Sequence, residues 1–226
     1  MDNIILANLS AENFSSFADE IKFTTVVDSG KKEYAENTFE CGDTTFNKVS
    51  FLYGANGSGK TYFCKILREI QRMLNWSPLT AMNNSHLLSL PEFKGIDKEI
   101  STFAFDIEHK GKPVKFSIDI RLEEFNYHYE FTILGKKVEH ELLTKKYQRT
   151  EKLLERTSPS YKDITLRSKL KDFEAAKQTV KEEALCLPVA ALLNNQLAQT
   201  IVDAIKSIQV VSMTAARLKP ADTKES

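Results

Sequence analysis

One stretch constrains this chain more than any other: Val49-Ser50-Phe51-Leu52-Tyr53-Gly54-Ala55-Asn56-Gly57-Ser58-Gly59-Lys60-Thr61-Tyr62-Phe63. An apolar segment runs into the pattern G-x-x-x-x-G-K-[ST], and a helix-like spacing of Phe63, Ile66, Leu67, Ile70 and Leu74 follows. Strand, glycine loop and helix in that order are the context in which the pattern means a phosphate-binding loop. Gly54, Gly57 and Gly59 free the backbone to wrap a polyphosphate, so that successive N–H groups point inward. The helix then presents unpaired N–H donors and a positive dipole end to the same anion. Lys60 is placed to reach the β- and γ-oxygens as a point charge, and the Thr61 hydroxyl to complete a Mg²⁺ shell. The expected nucleotide-binding residues are therefore Gly54, Ala55, Asn56, Gly57, Ser58, Gly59, Lys60, Thr61 and Tyr62. Lys60 is the catalytic candidate and Thr61 the metal ligand. The alternative is a glycine-rich turn that fits the pattern by chance. With both flanking elements in place, a nucleoside triphosphate is the expected ligand.

Length and charge set the frame. The chain has 226 residues, enough for one large domain or one and a half small ones, and a formal net charge of +0. Such a balance gives no global pull toward nucleic acid or an anionic membrane, so any such contact needs a local patch. Cys41, Cys64 and Cys186 are far apart, odd in number and without C-x-x-C spacing. They read as reduced thiols, not as a disulfide framework or a zinc site. With no signal peptide and no apolar run long enough to span a bilayer, a cytoplasmic, soluble protein is expected.

Before the loop, Ile4-Ile5-Leu6-Ala7 and residues 21–27 have strand composition, joined by a turn that carries Phe14 and Phe17. These two aromatics read as core anchors, the alternative being a place beside the nucleotide base. Residues 28–47 are turn-rich, with room for a short strand around Thr38–Cys41. The helix after the loop is expected to run to about Asn75 and to stop at Trp76-Ser77-Pro78. From 101 to 138 the pattern alternates: Phe103, Phe105 and Ile107, then Val114, Phe116, Ile118 and Ile120, then Tyr127, Tyr129, Phe131 and Ile133. Gly111-Lys112-Pro113 and Gly135-Lys136-Lys137 separate the runs, which predicts antiparallel hairpins with one buried face. The second of these turns reads as a solvated hairpin tip.

From Thr150 the pattern reads as helical and charged. Leu166, Leu170, Phe173, Val180, Ala184 and Leu187 form a seam of three- and four-residue steps. Pro188 can begin another helix, striped by Leu193, Leu197, Ile201, Ile205 and Ile208. A possible strand at 208–212 and a polar, disordered tail close the chain. The expected division is a nucleotide-binding lobe with a β-meander over 1–149, a helical insertion over 150–207, and the strand and tail over 208–226. The four histidines, His86, His109, His128 and His140, show no ligand spacing. No serine lies in G-x-S-x-G, so a hydrolase triad has no support.

The late loop, the sheet before it and the meander after it resemble the SMC/RecF/OLD-like branch of the ABC ATPases. The opening Glu12-Asn13-Phe14-Ser15-Ser16-Phe17 is similar to that branch's x-N-F-x-S-F, and Tyr53–Thr61 to its loop. Closer still is the group of bacterial AAA-family ATPases of abortive infection and anti-phage defence. Its pattern is matched by Tyr127-x-Tyr129-x-Phe131, Val138-x-x-Glu141-Leu142, Cys186-Leu187, Asn194-Asn195 and Ile208-x-Val210. Many relatives carry Arg or Lys where this chain has Ser15. The resemblance implies an α/β fold: an ABC-ATPase-like P-loop core with an antiparallel β-meander and a helical insertion.

The resemblance also implies ATP and Mg²⁺ as cofactors, and two heads that sandwich nucleotide in a homodimer or higher oligomer. A partner effector of nuclease type would be regulated by head association, with no membrane involved. A RecF/SMC-like ATPase of DNA repair or chromosome maintenance, binding DNA, is the alternative; a scaffold that binds nucleotide without turnover is a third. The LSxG signature and the apolar strand ending in Asp-Glu, which support Mg²⁺ and the attacking water in such enzymes, do not occur after the loop. The expectation is thus the N-terminal part of a longer ATPase, a truncated chain, or half of a split protein. Alone it is expected to bind ATP weakly and hydrolyse it poorly.

Overall fold

A computed structural model describes residues 4–28, 35–55, 59–82, 100, 109 and 111–209. Nine strands lie within them: β1 Ile4–Glu12, β2 Ile21–Thr24, β3 Thr38–Cys41, β4 Thr44–Asn47, β5 Val114–Leu122, β6 Phe125–Leu134, β7 Lys137–Lys146, β8 Thr150–Arg156 and β9 Ile164–Leu166. Three α-helices accompany them: α1 Lys60–Ala81, α2 Cys186–Leu192 and α3 Gln196–Ser207. Seven strands form one sheet in the order β2-β1-β5-β6-β7-β8-β9, with every neighbouring pair antiparallel. The fold is α/β, mixed, and mainly antiparallel in its strands.

Alternation explains the sheet. In β5, Val114, Phe116, Ile118 and Ile120 are buried while the residues between them are half exposed, and β6 repeats this with Tyr127, Tyr129, Phe131 and Ile133. That face joins Ile66, Ile70 and Leu74 of α1 and Ile201 and Ile205 of α3 in a single apolar cluster. Burial of this kind contributes about 25 cal/mol per Å² of apolar surface and outweighs local propensity. The pairing pattern skips Glu139 between Ile133↔Val138 and Thr132↔His140. This extra residue is a bulge, and it turns Glu141 instead of His140 toward the core.

Several expectations change. Helix α1 does not stop at Asn75: it continues through Pro78 to Ala81. The proline lies in the last turn, where the one i→i−4 bond lost is that to Leu74 O. The turn around it is held by burial of Ser77 and Thr80, whose hydroxyls donate to Met73 O and Ser77 O at 2.8 Å each. Thr150–Arg156 and Ile164–Leu166 are strands β8 and β9, joined through a short 3₁₀ turn at Tyr161–Asp163, where a helical stretch was expected. The seam of Leu166, Leu170, Phe173, Val180, Ala184 and Leu187 is buried throughout, yet the chain carries it on a strand end, a 3₁₀ stretch over Ser168–Thr179 and the start of α2. Three-residue steps suit a 3₁₀ turn as well as an α-helix, and the core selects burial before helix type. The Leu193 stripe is also split: Asn194 adopts φ 66 and Asn195 caps a new helix by accepting from the Ala198 amide. Ile208 and Gln209 are not in a strand. The expected strand at Phe103–Ile107 and residues 210–226 lie outside the described residues. β3 stands at Thr38–Cys41 as expected, and β4 pairs with it.

Candidate functional site

The loop region is built on the N-terminus of α1. Gly59 immediately precedes the helix with φ 87 and ψ 1, a left-handed conformation that favours glycine. A Cβ on it would stand 2.9 and 3.0 Å from two ring carbons of Phe17 and 3.3 Å from Ser16 Oγ. The cradle therefore demands glycine twice, by torsion and by space. Lys60 opens the helix, and its Nζ donates to the carbonyls of Gly54 (2.7 Å) and Ala55 (2.6 Å). Thr61 is exposed in the first turn. Tyr62 lies edge-on to Phe17 with centroids 6.3 Å apart, and Lys65 sits 4.2 Å over the Tyr62 ring.

The structure thus brings Gly54, Ala55, Gly59, Lys60, Thr61 and Tyr62 to one end of α1, while Asn56, Gly57 and Ser58 lie outside the described residues. Left-handed Gly59, an ammonium folded onto the loop and a free helix end suit a polyphosphate. Thr61 is the residue there that would hold Mg²⁺.

The apolar run before the loop departs from expectation. Residues 49–53 are not a strand. Val49, Phe51 and Tyr53 are 63%, 84% and 90% exposed. None of the described strands pairs with them, so strand-prone side chains stand in solvent.

The turn between β1 and β2 supplies residues that spacing alone does not locate. Asn13 and Ser15 both have positive φ, 53 and 55. Phe14 and Phe17 exchange two backbone hydrogen bonds of 2.9 Å, and the Asn13 amide donates to Lys112 O at 2.9 Å and Pro113 O at 3.2 Å. The two aromatics both pack, in different places. Phe14 enters the core beside Phe116 at 5.1 Å, whereas Phe17 packs on Gly59 and on Phe63 at 5.7 Å. Among the described residues, two buried side-chain polar atoms have no partner, Asn13 Oδ1 and Ser16 Oγ, and both lie in this turn.

Two other polar clusters are satisfied internally. On the open face of the sheet, His128 Nδ1 is 2.5 Å from Asp119 and its Nε2 is 3.2 Å from Glu130, which also pairs with Lys115 at 3.1 Å. The Asp119 and Glu130 hydrogen bonds raise the imidazole pKa to about 9, and the same His128 contact first, then Lys115, lowers Glu130 to about 2. In the core, Glu141 accepts from Tyr129 OH (2.8 Å) and from the amides of Cys186 (2.6 Å) and Leu187 (2.9 Å). Burial still holds its carboxyl above the ordinary range, and pushes the Tyr129 hydroxyl and Cys186 thiol up as well. Arg156, fully buried, donates to carbonyls of Ser158, Pro159, Lys181, Glu182 and Ala184. Sequence gave one sign of the Glu141 site, an acidic residue two before Leu143 on an inward-facing run. All three cysteines are free thiols. No described helix is long and apolar enough to cross a membrane.

A family model described as "AAA domain, putative AbiEii toxin, Type IV TA system" matches residues 49–187. The match begins at the exposed apolar run, takes in the loop, α1 and the meander, and ends at Leu187, whose amide Glu141 holds. No curated protein and no solved structure matches the chain.

Proposed function

This chain belongs to that AAA-domain family, and on that premise we propose that it is a Mg²⁺-dependent, ATP-binding module that dimerises around nucleotide and regulates a partner effector in anti-phage defence. AAA domains are nucleotide-binding ATPases, and the observation that carries the reading here is the start of α1. Left-handed Gly59, Lys60 on the loop carbonyls and exposed Thr61 stand where a triphosphate needs amides, an ammonium and a metal ligand. ATP would draw the Lys60 ammonium from two neutral carbonyls to a phosphate, a charge-assisted contact roughly twice as strong. Mg²⁺ at Thr61 would neutralise phosphate charge, and catalysis would rest on positioning and electrostatics.

Dimerisation is supported by the apolar run beside the loop. Val49, Phe51, Leu52 and Tyr53 expose a contiguous hydrophobic strip of the sort that interaction sites carry. An effector of nuclease type, and a defence role, rest on the family's toxin–antitoxin description. Lys60→Ala in the full chain is expected to abolish ATP binding in calorimetry and protection in a phage plating assay, with the melting temperature unchanged. Retained ATP affinity would falsify the site.

One observation favours the DNA-binding reading as a second. The turn between β7 and β8 exposes Lys146, Tyr147 and Arg149, with Tyr147 beside Phe125 at 5.8 Å. Basic and stacking groups together suit single-stranded nucleic acid. A DNA affinity that falls steeply with salt, and falls again in Lys146→Ala/Arg149→Ala, would favour it; none at low salt would exclude it.

A further inference from the structure

We propose that Ser16 is an additional nucleotide ligand: its hydroxyl donates a hydrogen bond to a phosphate oxygen of the nucleotide held at Lys60, and Phe17 is the positioning residue that fixes the loop beneath it. The inference rests on the nucleotide-binding reading above and adds a residue from outside the glycine loop.

The first observation is an orphan. Ser16 Oγ is buried from solvent and has no hydrogen-bond partner, in a fold where other buried hydroxyls are used. Ser77 Oγ, by contrast, both donates to Met73 O and accepts from Leu185 N. A buried hydroxyl without a partner is unfavourable, and such groups persist where something outside the fold completes them.

The second observation is location. Ser16 Oγ stands 3.3 Å from the point where a Cβ on Gly59 would lie, so it borders the last glycine before Lys60. At this end of α1 the carbonyls of Gly54 and Ala55 are engaged by Lys60, and the other groups gathered there are donors: the first helical amides and the Thr61 hydroxyl. A hydroxyl among donors is best satisfied by an anion with several acceptor oxygens, which is what a polyphosphate offers.

The third observation is rigidity. Two positive-φ residues, Asn13 and Ser15, shape the turn, and the Asn13 amide anchors it to the carbonyls of Lys112 and Pro113. The paired backbone bonds of Phe14 and Phe17 close it, and the Phe17 ring is wedged against Gly59, Tyr62 and Phe63. Such a turn presents Ser16 at a fixed place without help from the ligand, and preorganisation of that kind reduces the cost of binding. Strained backbone of this type collects at ligand sites.

The test is calorimetric titration of the full chain with Mg²⁺–ATP, with tripolyphosphate as the base-free probe, beside thermal melts without ligand. Ser16→Ala is expected to weaken both ligands about tenfold, the scale of one hydrogen bond to a charged group. Its ligand-free melting temperature should match the wild type, because the hydroxyl bonds nothing in the fold. Ser16→Thr, which keeps the hydroxyl, should restore most of the affinity. Wild-type affinity in Ser16→Ala overturns the inference, and so does a Ser16→Thr variant as weak as Ser16→Ala, which would make the role one of packing. Lys60→Ala separates the two claims. If it loses ATP while Ser16→Ala binds normally, only the Ser16 inference fails; if it binds ATP as the wild type does, the nucleotide site itself fails.

Discussion

In the sheet, Arg156 has none of its surface exposed, and its guanidinium is taken up by carbonyls of the chain that follows it. Glu141, equally buried, receives a phenol and two amides. At the other end of the matched span, Phe51 and Tyr53 stand 84% and 90% exposed, and Ser16 Oγ beside Gly59 has no partner. The two regions belong to one chain and meet different standards. The sheet with α2 satisfies its polar groups and buries its apolar ones from within. The loop side leaves both kinds of group open, which is where the proposed nucleotide and second subunit would act. The difference separates residues that hold the fold from residues that serve its use, and it makes the two sets separable by experiment.

Arg156→Ala should break the comparison at its strongest point. It takes the donor from the carbonyls of Ser158, Pro159 and Ala184, those of Lys181 and Glu182 keeping the amides of Ala184 and Val138, and it removes a buried cation that acts on Glu141. Losing one member of a buried charged network costs about 3–5 kcal/mol. Chemical denaturation should show that loss, with ATP affinity falling only as the folded fraction falls. Next in size is Ser77→Ala, which unpairs the buried Leu185 amide and takes one of two donors from the Met73 carbonyl. About 1–2 kcal/mol is expected by the same measurement.

The His128 cluster predicts a pH profile. Its folded pKa lies at about 9 against an ordinary 6.5, so its contribution is complete below 6.5 and disappears as pH rises toward 9. Glu130, at about 2 against 4.5, contributes fully above 4.5 and loses that contribution as pH falls toward 2. The cluster's contribution to stability should therefore plateau between 4.5 and 6.5 and decline on both sides. His128 is 35% exposed, and screening reduces the alkaline decline to about 1 kcal/mol. A His128→Asn variant should flatten the alkaline limb and also shrink the acid limb, because the His128 contact is the first cause of the Glu130 shift and Lys115 alone remains; an unchanged profile would remove the cluster from the account. The smallest effect on stability belongs to Phe51→Ser, within about 0.5 kcal/mol, as for other exposed sites. The same change should reduce ATP-dependent self-association in sedimentation, which is where the loop side differs from the sheet.

Much of the sheet was legible because alternation is a strong signal: β5 and β6 lie where Val114–Ile120 and Tyr127–Ile133 place them. What the pattern could not carry was set at long range. The seam from Leu166 to Leu187 announced burial but not element type, since β9, a 3₁₀ turn and α2 share it without a common period. Pro78 was read by its local rule, whereas the turn that carries it is buried in the core and tied by Ser77 to Leu185, 108 residues away. The apolar run at 49–53 has strand composition without a strand partner among the described residues, and composition alone does not provide one. The position of Lys60 and Thr61 in the first turn of α1 was legible from spacing. Phe17 against Gly59 was not, because the pair joins segments 42 residues apart, and nothing in x-N-F-x-S-F says which aromatic turns toward the loop.

The start of α2 bears on how the chain folds in time. Its three consecutive amides, those of Leu185, Cys186 and Leu187, go to Ser77 of α1 and to Glu141 of β7, across sequence separations of 108, 45 and 46 residues. A seven-residue helix has little population on its own, and these acceptors assemble only after α1 and the meander have met. α2 therefore forms late, on a finished template, and loop closure over such distances slows that step. In native-state hydrogen exchange the three amides should gain protection together and lose it together, marking the last unit to close and the first to open.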